Sequence, residues 1–173
     1  MNRSGAADGA LPGNQPKGFI MRARLLAIAL ATIAGFTIFS STGASAQGIQ
    51  LFAVLNGGYE CNPTGTCRAG DLDGSGSATV ILIPGTTPRL CYAILVTGIG
   101  APTAAHIHTG TAGVKGDIKV PLDYPAAGNP GSVAACLVTT SQVINQLRNN
   151  SSGFYINVHN TAFPDGAVRG QLF

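Results

Sequence analysis

Three histidines are the residues of this 173-residue chain whose types and spacing could do chemistry: His106 and His108, two apart, and His159. In an extended strand residues i and i+2 face one side, so the imidazoles of His106-Ile107-His108 project together while Ile107 turns the other way, toward a core. In the run Phe154–His159, Phe154, Ile156 and Val158 form an apolar face, which puts Asn157 and His159 on the opposite one. If the two strands are neighbours, the three rings converge. Three imidazoles suit one copper or zinc ion, with a position left for water or another ligand. The same residues have a plainer use, because histidines beside Asn, Thr and Gly often bond turn carbonyls and tie loops down. Sequence leaves both uses open.

Other motifs fall away on inspection. Asp71-Leu72-Asp73-Gly74-Ser75-Gly76 begins like a calcium loop, but the twelfth position, where that loop needs an acid, is Leu82, so a Gly-rich hairpin turn is expected. Thr109-Gly110-Thr111-Ala112-Gly113-Val114-Lys115-Gly116 lacks the Gly-Lys-Ser/Thr ending of a phosphate loop and reads as a connection between strands. No Gly-x-Ser-x-Gly elbow is present. Arg169 either neutralises an anion near the histidines or plays a structural part, paired with Asp165 or Asp117 or bonded to a turn carbonyl at the surface.

The elements that must position these residues are short strands separated by turn chemistry. Strand-like runs occur at Gln50–Leu55, Ser77–Ile83, Leu90–Thr97, Ala104–His108, Asp117–Leu122, Val133–Thr139, Phe154–His159 and Ala167–Phe173. Leu90–Thr97 is the longest apolar run and reads as a central buried strand. Ser141 is placed to cap a short helix with Val143, Ile144 and Leu147 on one face, fading at Asn149-Asn150. Eight strands with one helix predict an all-β, Greek-key β-sandwich or barrel.

The N-terminus has the pattern of an export signal. Arg22 and Arg24 precede an apolar run from Leu25 to Phe39, and Ala44-Ser45-Ala46 supplies small residues before Gln47. Residues 1–46 are therefore expected to be a signal peptide region, with Met21 a candidate true start and cleavage after Ala46, and residues 47–173 one domain. The run is shorter than the ~20 residues of a membrane span, so no span is expected once the signal is removed, although an uncleaved anchor is the alternative. The formal charge of +3 is set by this region, which holds Arg3, Lys17, Arg22 and Arg24 against Asp8 alone. The remainder carries six basic and six acidic side chains. A neutral domain with no basic patch is not expected to bind nucleic acid.

An exported chain is where disulfides persist, and Cys61, Cys67, Cys91 and Cys136 all follow the signal region. Four cysteines allow three pairings. The favoured one is Cys61–Cys67 across a short loop and Cys91–Cys136 between two strands, worth about 2 and about 4 kcal/mol in the chain-entropy picture. Spacing and compartment both argue against a metal–thiolate site.

At the histidines the sequence resembles the CHRD (chordin-domain) family. The resemblance is carried by Ala105-His106-Ile107-His108-Thr109-Gly110 with Gly113 and Gly116, and by Phe154-Tyr155-Ile156-Asn157-Val158-His159-Asn160-Thr161 with Pro164, Gly166 and Arg169-Gly170-Gln171-Leu172. It runs from about Ile49 to Phe173. It implies a compact sandwich of immunoglobulin-like or superoxide dismutase-like type and extracytoplasmic placement, secreted or periplasmic. In bacteria the family implies no settled activity. The family is also distantly similar to Cu/Zn superoxide dismutase, whose copper strand carries a comparable His-x-His, and His159 would stand for its late copper-binding histidine. That enzyme needs further histidines and an aspartate for a second, bridged metal, and a chain with three histidines cannot supply them. At most one copper or zinc ion could bind. The expected role is a non-enzymatic binding or surface-associated module whose partner is another extracellular protein or a single metal ion. The alternative is a mononuclear copper- or zinc-dependent enzyme using His106, His108 and His159.

Overall fold

A computed structural model describes residues 48–173; the expected signal region at 1–46 lies outside the described residues. Eight strands follow in chain order: β1 (Ile49–Asn56), β2 (Ser75–Ile83), β3 (Arg89–Thr97), β4 (Pro102–Thr109), β5 (Ile118–Leu122), β6 (Gly131–Val138), β7 (Phe154–Asn160) and β8 (Val168–Gln171), with one helix, α1 (Ser141–Asn149), between β6 and β7. They form a single curled sheet in the order β5-β4-β7-β8-β1-β2-β3-β6, antiparallel throughout. β1, β2 and β3 run as a meander, the chain then crosses to the β4–β5 hairpin, and it returns as β6 beside β3. That is a Greek-key path, and the predicted all-β sandwich with one short helix is the fold observed. The curl brings the two ends of the sheet together, and the Tyr92 hydroxyl of β3 accepts a hydrogen bond from Asp123 N, just past β5, at 2.7 Å.

Period-two alternation builds the core. Leu51, Ala53 and Leu55 of β1 point inward with Ala78, Val80 and Leu82 of β2 and Leu90, Tyr92, Ile94 and Val96 of β3. Ala105 and Ile107 of β4 and Phe154, Ile156 and Val158 of β7 close the opposite side, and α1 adds Ile144 and Leu147. Burying a side chain of this size stabilises the fold by about 1.5–3 kcal/mol. The cap lies one residue earlier than expected: Thr140, not Ser141, is the N-cap of the helix that begins at Ser141, and its Oγ1 accepts from Val143 N at 3.2 Å.

One expectation about burial is corrected. β3 is not covered on both faces, because Leu95 is 52 % exposed and β3 lies next to the edge strand β6 with nothing among the described residues over its outer side. The strand buried along its whole length is β7. Its core face is the apolar one, and its polar face is covered by Gly116 of the β4–β5 loop, Pro164 of the β7–β8 turn and Glu60, just before Cys61. Both disulfides join the favoured partners, Cys61 with Cys67 and Cys91 with Cys136. Cys91 and Cys136 are directly opposed on β3 and β6. The Asp71–Gly76 stretch is a turn leading into β2, closed by Gly74 N donating to Asp71 O at 2.9 Å.

Candidate metal centre

Register alone brings the histidines together. β4 and β7 are neighbours, with Ala104 opposite His159, His106 opposite Asn157 and His108 opposite Tyr155. Their outward side chains therefore interleave on one face. His106 Nδ1 lies 3.0 Å from His159 Nε2, and one ligand nitrogen from each of the three rings lies within 4.8 Å of the others. Nitrogens bound at ~2.0–2.1 Å around one tetrahedral ion are about 3.3 Å apart, so the cluster must close by up to roughly 1.5 Å to share a metal.

Backbone carbonyls set the tautomers. His108 Nδ1 faces Gly116 O at 2.9 Å and His159 Nδ1 faces Pro164 O at 2.9 Å. A carbonyl only accepts, so both Nδ1 atoms carry the proton. In the neutral ring of His108 Nε2 keeps its lone pair, whereas His159 Nε2 already meets His106 Nδ1 and the Asn157 amide, each at 3.0 Å. His108 Nε2 is buried with no hydrogen-bond partner. A ligand-ready nitrogen with nothing to bind is an observation that a cation would explain. Gly116 makes the first contact possible, since a Cβ there would collide with the Thr109 carbonyl on the strand the loop folds back upon.

Burial keeps these rings neutral. The pKa values of His106, His108 and His159 all lie below the ordinary imidazole value, chiefly through desolvation; the neighbouring His159 adds to the effect at His106. The unfolded chain therefore takes up protons near pH 6.5 that the folded cluster refuses. The expected result is a stability contribution that falls as pH drops from about 6.5 through the lowered folded values. Glu60, whose pKa burial raises, acts with the opposite sign at lower pH. Comparing urea midpoints at pH 7.5 and 5.5 for the native chain and a variant with all three histidines changed to Gln isolates the effect. The native chain should lose more on acidification, and equal losses would refute the account.

Behind the histidines lies a buried column that the sequence did not reveal. Tyr155 stacks on His108 with ring centroids 4.9 Å apart and planes 6° from parallel. The guanidinium of Arg169 covers the Tyr155 ring, its Cζ 3.3 Å from the centroid. Arg169 is neither at the surface nor paired with Asp165 or Asp117. It is 1 % exposed, donates from Nη2 to Thr111 O at 2.9 Å and Val114 O at 3.0 Å, and places Nη1 3.9 Å from Glu60 Oε1. Of the expected roles, the bonds to turn carbonyls are present, but inside the fold. Glu60, also 1 % exposed, accepts from Asn157 Nδ2 at 3.4 Å, and Asn157 touches His159 Nε2 at 3.0 Å. The available signal was that Glu60 is the chain's only glutamate, next to Cys61. Gly166, with φ of 140°, passes so close to the Glu60 carboxylate that no other residue fits.

The cluster opens on one side. A surface depression of about 710 Å³ is lined by His106, His108 and His159 together with Lys115, Asp117 and Asp165. Among the described residues no helix is long and apolar enough to cross a membrane. No curated protein and no solved structure matches the chain. The family model for the CHRD domain matches residues 51–172, from within β1 to just past β8 and including both histidine strands, and the chain therefore belongs to the CHRD domain family.

Proposed function

We propose that this protein is an extracytoplasmic CHRD-type binding module that takes up one copper or zinc ion through His106, His108 and His159. The observation that carries the reading is the Nδ1–H bond of His108 to Gly116 O, which leaves the Nε2 lone pair of that ring buried without a partner beside two further imidazoles. Family membership and two disulfides fit an environment outside the cytoplasm, and another extracellular protein is the second partner of the proposal. Among the described residues no complete acid–base or nucleophilic constellation accompanies the cluster, which favours a carrier or binding role. A second reading, a mononuclear metal-dependent enzyme, draws on the half-exposed His106 and the open depression, which leave one side of a bound ion free for a substrate.

Metal analysis of the purified chain after loading with copper(II) or zinc(II) tests the proposal. One equivalent is expected in the native protein, with at least a hundredfold loss of affinity in His108→Ala. A native chain that takes up no metal, and whose stability His108→Ala leaves unchanged, would eliminate both readings. Turnover with bound metal would decide for the enzyme.

A further inference from the structure

Two residues of opposite charge stand one position from the carbonyls that set the histidine tautomers. Lys115 precedes Gly116, whose oxygen accepts the His108 Nδ1–H bond, and Asp165 follows Pro164, whose oxygen accepts that of His159. Lys115 Nζ donates to Asp165 Oδ1 at 2.6 Å. Fifty residues apart in sequence, they make the one side-chain hydrogen bond between the β4–β5 loop and the β7–β8 turn among the described residues. Both line the depression over the histidines.

We propose that the Lys115–Asp165 ion pair is a positioning clamp for the histidine cluster. It ties together the two segments whose carbonyls hold His108 and His159, and so keeps both rings packed against His106. The inference rests on the metal reading given above for its effect on affinity, but not for its effect on the rings. The two side chains are 32 % and 50 % exposed, so the pair contributes little to folding, and its removal separates the geometry of the cluster from the stability of the domain. Groups that orient ligand histidines typically change metal affinity 10–100-fold. This clamp acts one residue further out and in contact with solvent, where salt screens it, so about three- to tenfold is expected. Arg169 anchors the earlier part of the same loop through Thr111 O and Val114 O, which is why loss of the clamp should loosen the Lys115–Gly116 end without releasing the whole segment.

The experiment is a zinc(II) competition titration of the full chain at low and high ionic strength, with nitrogen-15 spectra of the imidazoles recorded without metal. Four proteins are compared: native, Lys115→Ala, Asp165→Ala, and the exchanged Lys115→Asp/Asp165→Lys. Each alanine variant should bind zinc about three- to tenfold more weakly with an unchanged thermal midpoint. Each should also lose the uniform Nδ1-protonated state of His108 and His159, and the exchanged pair should recover both properties. High salt should weaken the native protein toward the alanine variants. Native affinity and native imidazole spectra in both alanine variants would overturn the clamp. If the native chain itself takes up no zinc, the metal reading falls. The clamp is then decided by the spectra alone, with altered tautomers in the alanine variants supporting it and unaltered ones overturning it.

Discussion

Replacing Arg169 with alanine is expected to lower the unfolding free energy by about 3–5 kcal/mol, the largest single effect in this domain. Arg169 and Glu60 are each 1 % exposed and form an ion pair at 3.9 Å. Breaking a buried pair by removing one partner strands the other charge in a medium that solvates it poorly, and the cost exceeds what the pair itself contributed. The substitution also removes the guanidinium from the Tyr155 ring and both bonds to the β4–β5 loop. Urea denaturation of Arg169→Ala measures the loss. Adding Glu60→Gln should recover part of it, because the stranded charge is then gone. A loss below about 1 kcal/mol in the single variant, with no recovery in the double, would show that the pair has no structural weight.

The next largest effect is expected from the disulfides, and the two should differ. Changing Cys91 and Cys136 together to alanine should cost about 4 kcal/mol, against about 2 kcal/mol for Cys61 and Cys67. The bridges span 45 and 6 residues respectively, and closing the longer loop removes more freedom from the unfolded chain. Cys91 and Cys136 face one another across β3 and β6, the pair at the edge of the sheet, so the bridge also fastens the last strand in place. Denaturant midpoints of the two double variants provide the comparison. A larger loss from the short loop would contradict the loop-length argument.

Several features of the fold were legible because they depend on local periodicity. Ala78, Val80 and Leu82 alternate with Thr79, Ile81 and Ile83, and the first set is the buried one. Val143, Ile144 and Leu147 share a helix face by their spacing, and Ile144 and Leu147 reach the core. The misreading of β3 shows where periodicity runs out. Leu90–Thr97 is apolar on both faces, but apolar residues do not reveal whether an outer layer exists to cover them, and among the described residues none covers Leu95.

For the candidate site, the pleat of a strand places His106 and His108 on one side and Asn157 and His159 on theirs, so the sequence by itself determined which residues could meet. It also pointed to the family, through the two histidine-bearing motifs. Only the tertiary structure decided that β4 and β7 are neighbours, that their register sets His159 beside Ala104, and that the polar face of β7 is roofed rather than wet. Glu60 and Arg169 belong to that second class. They lie 109 residues apart by their numbers and meet because β8 pairs with β1 on one side and β7 on the other, which sets Arg169 opposite Asn56 and Asn157 while Glu60 follows just past β1. The physical reason is that the alternation of a strand is written in adjacent residues, whereas the partner across a sheet and the cover above it depend on long-range closure, which no local pattern encodes.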